Sequence, residues 1–233
     1  MNNLKVLLFD IDGTLLDPLE EGAQCMRRAL MSVYGVAGPI ESYDMSGKTD
    51  WQIVTDLMRL AGLNPKVVET RRRDVFEAYA REVEKAAPTM QMQILPGVTA
   101  LLDRLVAMNN HFLLGLVTGN VREAVPHKLR VVGIDPAFFR FGAFGSEHID
   151  RNQLPILALE RLSKLWDAPV TGGEVLVIGD TPHDIACARH AGVKVFCVTT
   201  GRYDRDSLAA LRPDYLLDDL SDTDAVMDIL SHF

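Results

Sequence analysis

Four short apolar runs, each followed by small or acidic residues, constrain the fold of this chain more than any other feature. They lie at residues 5–9, 112–117, 174–178 and 193–198. Their apolar residues do not alternate with polar ones, a pattern typical of strands that are buried on both faces. The sequence therefore predicts four buried strands, each ending in a polar loop.

Helical segments separate these runs. We predict helices over residues 98–108, 121–132, 154–166 and 182–191, because Pro lies near several starts and Gly follows several ends. Strands that alternate with helices build a parallel sheet covered on both faces. The predicted fold class is α/β with a doubly wound parallel sheet, completed by a short strand at 215–217 and a helix over 222–230.

Residues 17–92 break the alternation. Segments 20–33, 50–61 and 65–85 read as amphipathic helices with no buried strand between them. We therefore expect a core of residues 1–16 and 93–233, and a small all-helical cap domain of residues 17–92 inserted after the first strand. Such a cap would lie over the carboxyl ends of the strands, where open α/β sheets bind ligands.

The composition is that of an ordinary globular protein. Apolar residues make up 48% and charged residues 24%, and the net charge of −8 argues against nucleic-acid binding. No leader or long apolar segment is evident, so we expect a cytoplasmic protein without membrane contact, a monomer or homodimer. Cys25, Cys187 and Cys197 are predicted to be buried reduced thiols, and the basic run at 71–73 is predicted to lie on a solvated helix face.

Chemically reactive side chains fall at the polar ends of the predicted strands. Asp10 and Asp12 follow the first strand, Thr118 follows the second, and Asp180 and Asp184 follow the third. A parallel sheet brings these ends together, and clustered carboxylates repel one another unless a cation neutralises them. Oxygen ligands suit a hard ion, so the cluster predicts Mg²⁺.

This set of groups suits phosphate chemistry. A carboxylate can attack a phosphate monoester whose charge is masked by Mg²⁺, and water then hydrolyses the aspartyl-phosphate. Asp12 could act as the acid and base at the leaving oxygen and the attacking water. The Thr118 hydroxyl and the Gly119 amide could hold the phosphoryl oxygens. The sequence thus favours a phosphohydrolase acting on a small phosphorylated metabolite.

Three motifs in order resemble those of the haloacid dehalogenase superfamily. They are Asp-Ile-Asp-Gly-Thr at 10–14, Val-Thr-Gly at 117–119, and Gly-Asp-Thr-x-x-Asp at 179–184. The resemblance spans nearly the whole chain and implies a Rossmann-like core. The helical insertion resembles the cap of the phosphoglycolate phosphatase-like branch, whose loop facing the active site is similar to residues 46–50. Lys48 and Thr49 are therefore expected to contact the substrate.

The resemblance also implies a role for each matching residue. Asp10 would be the nucleophile and a metal ligand, and Asp12 the acid and base that also offers its backbone carbonyl to Mg²⁺. Thr118 would bind phosphate, Asp180 would bind the metal directly, and Asp184 would support the metal site indirectly.

One motif of the superfamily departs from its usual form. A Lys before a helix is expected as the third motif, but Asp-Arg-Asn-Gln-Leu-Pro stands at 150–155. Arg151 can neutralise Asp10 and bind phosphate with its fork of donors. Lys128 and Lys164 are minor candidates for the same role.

Other functions remain open at this stage. A sugar phosphomutase of the same superfamily would keep Asp12 and the metal, and a non-catalytic phosphoacceptor module would also use an acidic cluster, a Thr and a cation. Dehalogenation is less favoured because Asp12 is present, and no Gly-x-Gly-x-x-Gly motif supports a nucleotide-binding oxidoreductase. Phosphoglycolate, a sugar phosphate and a nucleoside monophosphate all remain candidate substrates.

Overall fold

The computed structural model describes residues 4–166 and 172–233. The strands are β1 Lys5–Phe9, β2 Leu16–Asp17, β3 Gln93–Ile94, β4 Phe112–Thr118, β5 Phe141–Phe144, β6 Val175–Gly179, β7 Lys194–Val198 and β8 Tyr215–Leu217. The α-helices are α1 Glu21–Tyr34, α2 Asp50–Leu60, α3 Pro65–Thr70, α4 Arg72–Ala86, α5 Val98–Ala107, α6 Val125–Val131, α7 Gln153–Trp166, α8 Pro182–His190, α9 Arg205–Ala210 and α10 Thr223–His232.

A parallel sheet forms the centre of the described chain, in the order β5-β4-β1-β6-β7-β8. Every neighbouring pair in it is parallel. The chain runs outward from β1 through β4 to β5 and then crosses to β6 on the other side of β1. Helices cover both faces, where two separate apolar clusters lie. The predicted α/β doubly wound fold is confirmed, and β1 with β6 forms the crevice at which such sheets bind ligands.

Two predicted helices depart from the structure by more than one or two residues at an end, each for a local reason. Helix α6 begins at Val125 rather than at 121, which leaves Pro126 in the first turn, where its missing N–H costs no hydrogen bond. The single helix predicted over 65–85 is two helices, α3 and α4, separated by Arg71 at φ −101° and ψ 15°. The four-residue strand β5 was not predicted at all.

Helices α1 to α4 lie between the two short strands β2 and β3. These strands pair antiparallel, with Leu16 opposite Ile94 and Asp17 opposite Gln93, so the chain leaves and re-enters the core at one place. The helices share an apolar cluster of their own, which also includes Val121 from the core. The division at 16/17 and 92/93 stays a prediction, and the paired strands lie at both of its boundaries.

The basic run at 71–73 does not lie wholly on a solvated face. The side chain of Arg73 is 89% exposed. Arg72, in contrast, donates to the carbonyl of Ser146 at 2.7 Å and stacks over Trp51, with its guanidinium 4.8 Å from the ring centroid. Arg72 therefore ties α4 to the loop after β5, and its predicted solvated position was wrong.

The three cysteines are buried and free of disulfides, as predicted. Within the described part of the chain, no helix has the length and apolar character needed to cross a membrane.

Candidate active site

Three buried carboxylates meet at the carboxyl edge of the sheet. Asp10 follows β1, Asp180 follows β6, and Asp184 lies in the first turn of α8. One oxygen from each of the three lies within 4.8 Å of the others. The sequence places them together because β1 and β6 are neighbouring parallel strands whose ends share one edge.

The backbone closes tightly around Asp180. Thr14 Oγ1 donates to Asp180 Oδ1 at 3.0 Å. Gly13 and Gly201 approach the same carboxylate so closely that a Cβ on either residue would overlap it. Gly13 also has a φ of +83°, which side chains rarely allow. These two glycines therefore leave room for the carboxylate at the bottom of the site.

Burial makes this cluster electrostatically costly. Burial raises the pKa of Asp10 to about 6, although Arg151 opposes the shift. The pKa of Asp180 is raised well above its usual range by burial and then by repulsion from Asp184 and Asp10. A hard divalent cation would relieve both causes, because it replaces lost solvation and neutralises charge. The oxygen-only donor set fits Mg²⁺.

Arg151, in the turn before α7, supplies the positive charge of the site. Its Nη2 donates to Asp10 Oδ2 at 2.8 Å and to Asp184 Oδ1 at 2.5 Å. Burial alone would lower the pKa of Arg151, but these two carboxylates raise it well above its usual range. The structure thus brings Arg151 to the nucleophile candidate. Lys164, near the end of α7, is exposed.

Asp184 is held by other groups on both of its oxygens. Oδ1 accepts from Arg151, while Oδ2 accepts from the Thr181 hydroxyl at 2.7 Å and from its backbone amide at 3.0 Å. The bond from the Thr181 amide and the reciprocal one from the Asp184 amide to Thr181 Oγ1, at 3.3 Å, form a capping box at the start of α8. This arrangement favours an indirect role for Asp184, in which it orients Arg151 and the first turn of the helix.

A second cation, Lys128, is paired with Asp12. The ammonium of Lys128 lies 2.5 and 2.6 Å from the two carboxylate oxygens of Asp12 and 2.6 Å from Asn120 Oδ1. Asn120 Nδ2 also donates to Asp12 Oδ2 at 3.1 Å and to Thr118 Oγ1 at 2.8 Å. Lys128 was only a minor candidate for neutralising Asp10, and Asn120 was not predicted at all. The available signal was a charged residue on the same helical face as the apolar Val125.

The residues predicted to hold phosphate differ in their access to the site. Gly119 and Asn120 line the cavity. Thr118 is fully buried, and its hydroxyl accepts hydrogen bonds from Asn120. Gly119 lies so close to the carbonyl of Lys48 that a Cβ would overlap it. The loop after β4 therefore presents backbone to the cavity next to the segment at 47–49 that leads into α2.

Lys48 and Thr49 are placed differently from each other. Lys48 lines the cavity. Its ammonium donates to the Asp44 carbonyl at 2.6 Å and lies 4.1 Å from the Tyr43 ring centroid. The Thr49 side chain is fully buried; it accepts from the Gln52 amide at the start of α2 and donates to the Ile149 carbonyl at 2.8 Å. Thr49 is therefore the N-cap of α2, and its contact with the substrate stays a prediction.

Asp50 is a buried acid at the first position of α2. Its backbone amide donates to the Gly119 carbonyl at 2.7 Å, and its Oδ2 accepts from the Val121 amide at 2.7 Å. Burial raises its pKa to about 7, although Lys128 opposes the shift. Asp50 therefore joins α2 to the loop after β4.

A cavity of about 680 Å³ opens above these groups. Its floor is formed by the acidic residues, Arg151, Lys128 and the loop after β4, while α1 and the segment before α2 form its walls. The wall residues include the apolar Leu19, Met26, Ile40 and Met45 and the charged Arg27, Glu41 and Lys48. The cavity is large enough for a small metabolite next to Asp10.

Comparisons with known proteins agree with this geometry. A family model described as haloacid dehalogenase-like hydrolase matches residues 7–198. The chain is 29% identical to a phosphoglycolate phosphatase of Synechococcus elongatus, over 94% of this chain and 95% of that protein. It is 26% identical to the pyrophosphatase PpaX of Anoxybacillus flavithermus, over 98% of this chain and 99% of that protein. A solved hydrolase from Pseudomonas syringae has a TM-score of 0.69 at 21% identity, covering 97% of this chain and 99% of that one.

Proposed function

This chain belongs to the haloacid dehalogenase-like hydrolase family, and from that membership we propose that it is a Mg²⁺-dependent phosphatase acting on a small phosphate monoester. The observation that carries the proposal is the buried carboxylate cluster of Asp10, Asp180 and Asp184 with Arg151 against Asp10. The cluster combines a nucleophile, an oxygen-rich cation site and a fixed positive charge.

Asp10 is the proposed nucleophile. Its carboxylate forms a bond to phosphorus as the bond from phosphorus to the ester oxygen breaks, and the leaving oxygen takes the electron pair and a proton from Asp12. Water then attacks the aspartyl-phosphate and returns a proton to Asp12, which regenerates both residues and releases phosphate. Arg151 offsets the negative charge of Asp10 and of the incoming phosphate.

Asp10 and Asp180 are the proposed direct metal ligands, together with the backbone carbonyl of Asp12. Mg²⁺ supplies charge neutralisation of the phosphoryl group when it is bound. Asp184 supports this site through Arg151. The Thr118 hydroxyl and the Gly119 amide remain the proposed phosphate contacts; the hydroxyl accepts from Asn120, so its own O–H would donate to the phosphate.

The substrate belongs to the small phosphorylated metabolites. The names of the curated relatives, phosphoglycolate phosphatase and pyrophosphatase, support a phosphoglycolate-like compound as the first to test. Lys48 lines the cavity from the segment before α2, and it is the proposed contact for the far end of such a substrate.

A panel of phosphate monoesters, assayed with Mg²⁺ and then with a chelator, tests the proposal. We expect phosphate release that the chelator blocks, and we expect Asp10→Asn to abolish it while the protein stays folded. Asp103→Asn, an exposed acid on α5, is the matched control and should keep full activity. Near wild-type turnover by Asp10→Asn would contradict the covalent mechanism, and transfer of phosphate within a sugar without release would indicate a mutase.

A further inference from the structure

Asp12 and Lys128 form an ion pair, and the proposed reaction assigns no role to Lys128. Lys128 is 1% exposed, whereas the side chain of Asp12 is 35% exposed and opens into the cavity. Both residues line the cavity, but the ammonium is almost fully enclosed by its acceptors, so the carboxylate is the more accessible of the two to a leaving group.

The ammonium has three N–H donors, and each has an acceptor. Two are the oxygens of Asp12 and the third is Asn120 Oδ1, all within 2.6 Å. Asn120 itself donates to Asp12 and to Thr118. Asp12 is thus held from two directions by groups that are themselves fixed by α6 and the loop after β4.

A buried charge is costly, and this one has a hydrophobic alternative. Lys128 lies on α6 between Val125 and Leu129, both buried. Replacing a buried ion pair by packed apolar side chains is often neutral or stabilising. Fold stability alone therefore gives little reason for a lysine at this position.

We propose that Lys128 is a positioning residue for the acid-base step, which holds the Asp12 carboxylate at the leaving oxygen without touching the substrate itself. The inference rests on the proposed function. Lys128 keeps its own protons throughout, and the proton moves between Asp12 and either the leaving oxygen or water. Removing Lys128 should therefore impair the reaction only to the extent that the leaving group needs a proton.

Leaving groups of similar size test this directly. Nitrophenolate departs without a proton, whereas the alkoxide of benzyl phosphate does not. We expect Lys128→Met to lower kcat/KM for benzyl phosphate about 100-fold, and for p-nitrophenyl phosphate less than about threefold. Lys128→Gln can still donate a hydrogen bond, so its kcat/KM for benzyl phosphate should lie between those of the wild type and Lys128→Met. The ratio kcat/KM is the right quantity because it reports the step in which the ester bond breaks.

A double variant separates positioning from a structural role. If Lys128 acts through Asp12, then Asp12→Asn with Lys128→Met should be no slower on benzyl phosphate than Asp12→Asn alone. Thermal unfolding of each variant shows whether it is folded, and Arg130→Met, on the same helix, is the control.

Equal losses on both substrates, or a further loss in the double variant, would overturn the positioning role while leaving the phosphatase proposal intact. Wild-type protein that hydrolyses neither ester with Mg²⁺ would instead overturn the proposed function and this inference with it.

Discussion

Arg151 Nη2 lies 2.8 Å from Asp10 Oδ2, and both side chains are 5% exposed. A guanidinium therefore holds the position at which the superfamily resemblance leads us to expect a lysine. The same nitrogen contacts Asp184, so one cation stabilises two buried carboxylates that would otherwise repel each other.

We predict that Arg151→Met destabilises the protein and lowers kcat/KM. Removing one partner of a buried pair leaves uncompensated charge, so the free energy of unfolding without Mg²⁺ should fall by about 3–5 kcal/mol. Added Mg²⁺ should restore part of it, because it neutralises the same carboxylates. Chemical denaturation with and without Mg²⁺ measures this, with the exposed Arg73→Met as control. Unchanged stability and turnover would assign the neutralising role to another cation.

We predict that Mg²⁺ raises the melting temperature of the wild-type protein through Asp180. Ligand at about 100 times its Kd stabilises the folded state by roughly 2.7 kcal/mol. Asp180→Asn should abolish the Mg²⁺-induced increase, and Asp103→Asn should keep it. Thermal unfolding over a Mg²⁺ titration is the measurement, and an undiminished increase in Asp180→Asn would place the cation elsewhere.

We predict that Asp50 makes the fold less stable as the pH rises from about 4 to 7. Its pKa is raised from 3.8 to about 7, so the unfolded chain releases this proton at a lower pH than the folded chain does. Its stabilising contribution is complete below pH 4 and is lost as the pH rises through 7. Asp50→Asn can still accept the hydrogen bond from the Val121 amide, but it does not titrate. Between pH 4 and 7 its free energy of unfolding should therefore rise relative to that of the wild type by on the order of 4 kcal/mol.

Denaturation of both proteins at several pH values checks the sign. Asp103→Asn provides the baseline. A difference between Asp50→Asn and wild type that stays constant from pH 4 to 8 would contradict the raised pKa.

We predict that substitutions at the neighbouring residues Lys48 and Thr49 affect different quantities, KM in one case and stability in the other. Lys48→Met should raise KM for an anionic substrate with little change in melting temperature, because its ammonium lines the cavity. Thr49→Val should lower the free energy of unfolding by about 1 kcal/mol through loss of a helix cap, with KM unchanged. Steady-state kinetics and thermal unfolding of each variant distinguish them, and a raised KM in Thr49→Val would support its predicted contact with the substrate.

The sequence predicted the sheet because its strands are buried on both faces. A run such as residues 5–9 has no polar alternation, so its limits coincide with those of β1. Strand β5 escaped prediction because it has four residues, contains Gly142 and lies beside Phe138 and Phe139, so no turn residue separates it from the aromatic residues before it. Short strands take their definition from a neighbour, here β4, rather than from their own residues.

The candidate site was predictable where a strand end fixed it and not where a helix did. Asp10, Thr118 and Asp180 are at or next to the ends of neighbouring strands, so the sheet determines that they lie close together. Lys128 reaches Asp12 from a helix that follows a turn, and the direction of its side chain depends on where that helix begins. Because Pro126 shifts the start of α6 to Val125, the sequence alone did not show which of its residues faces the cavity.

The contacts between the segment of helices α1 to α4 and the loops of the core also bear on how the enzyme exchanges ligands. Asp50 bonds to Gly119 and Val121, Thr49 bonds to Ile149, and Arg72 bonds to Ser146. Each such bond contributes about 0.5–1.5 kcal/mol. All of them join the segment of helices α1 to α4 to loops of the core, so they must break together if the two parts separate. If helices α1 to α4 move away from the core, the cavity would open in one step rather than by stages, and the frequency of that step would then limit turnover.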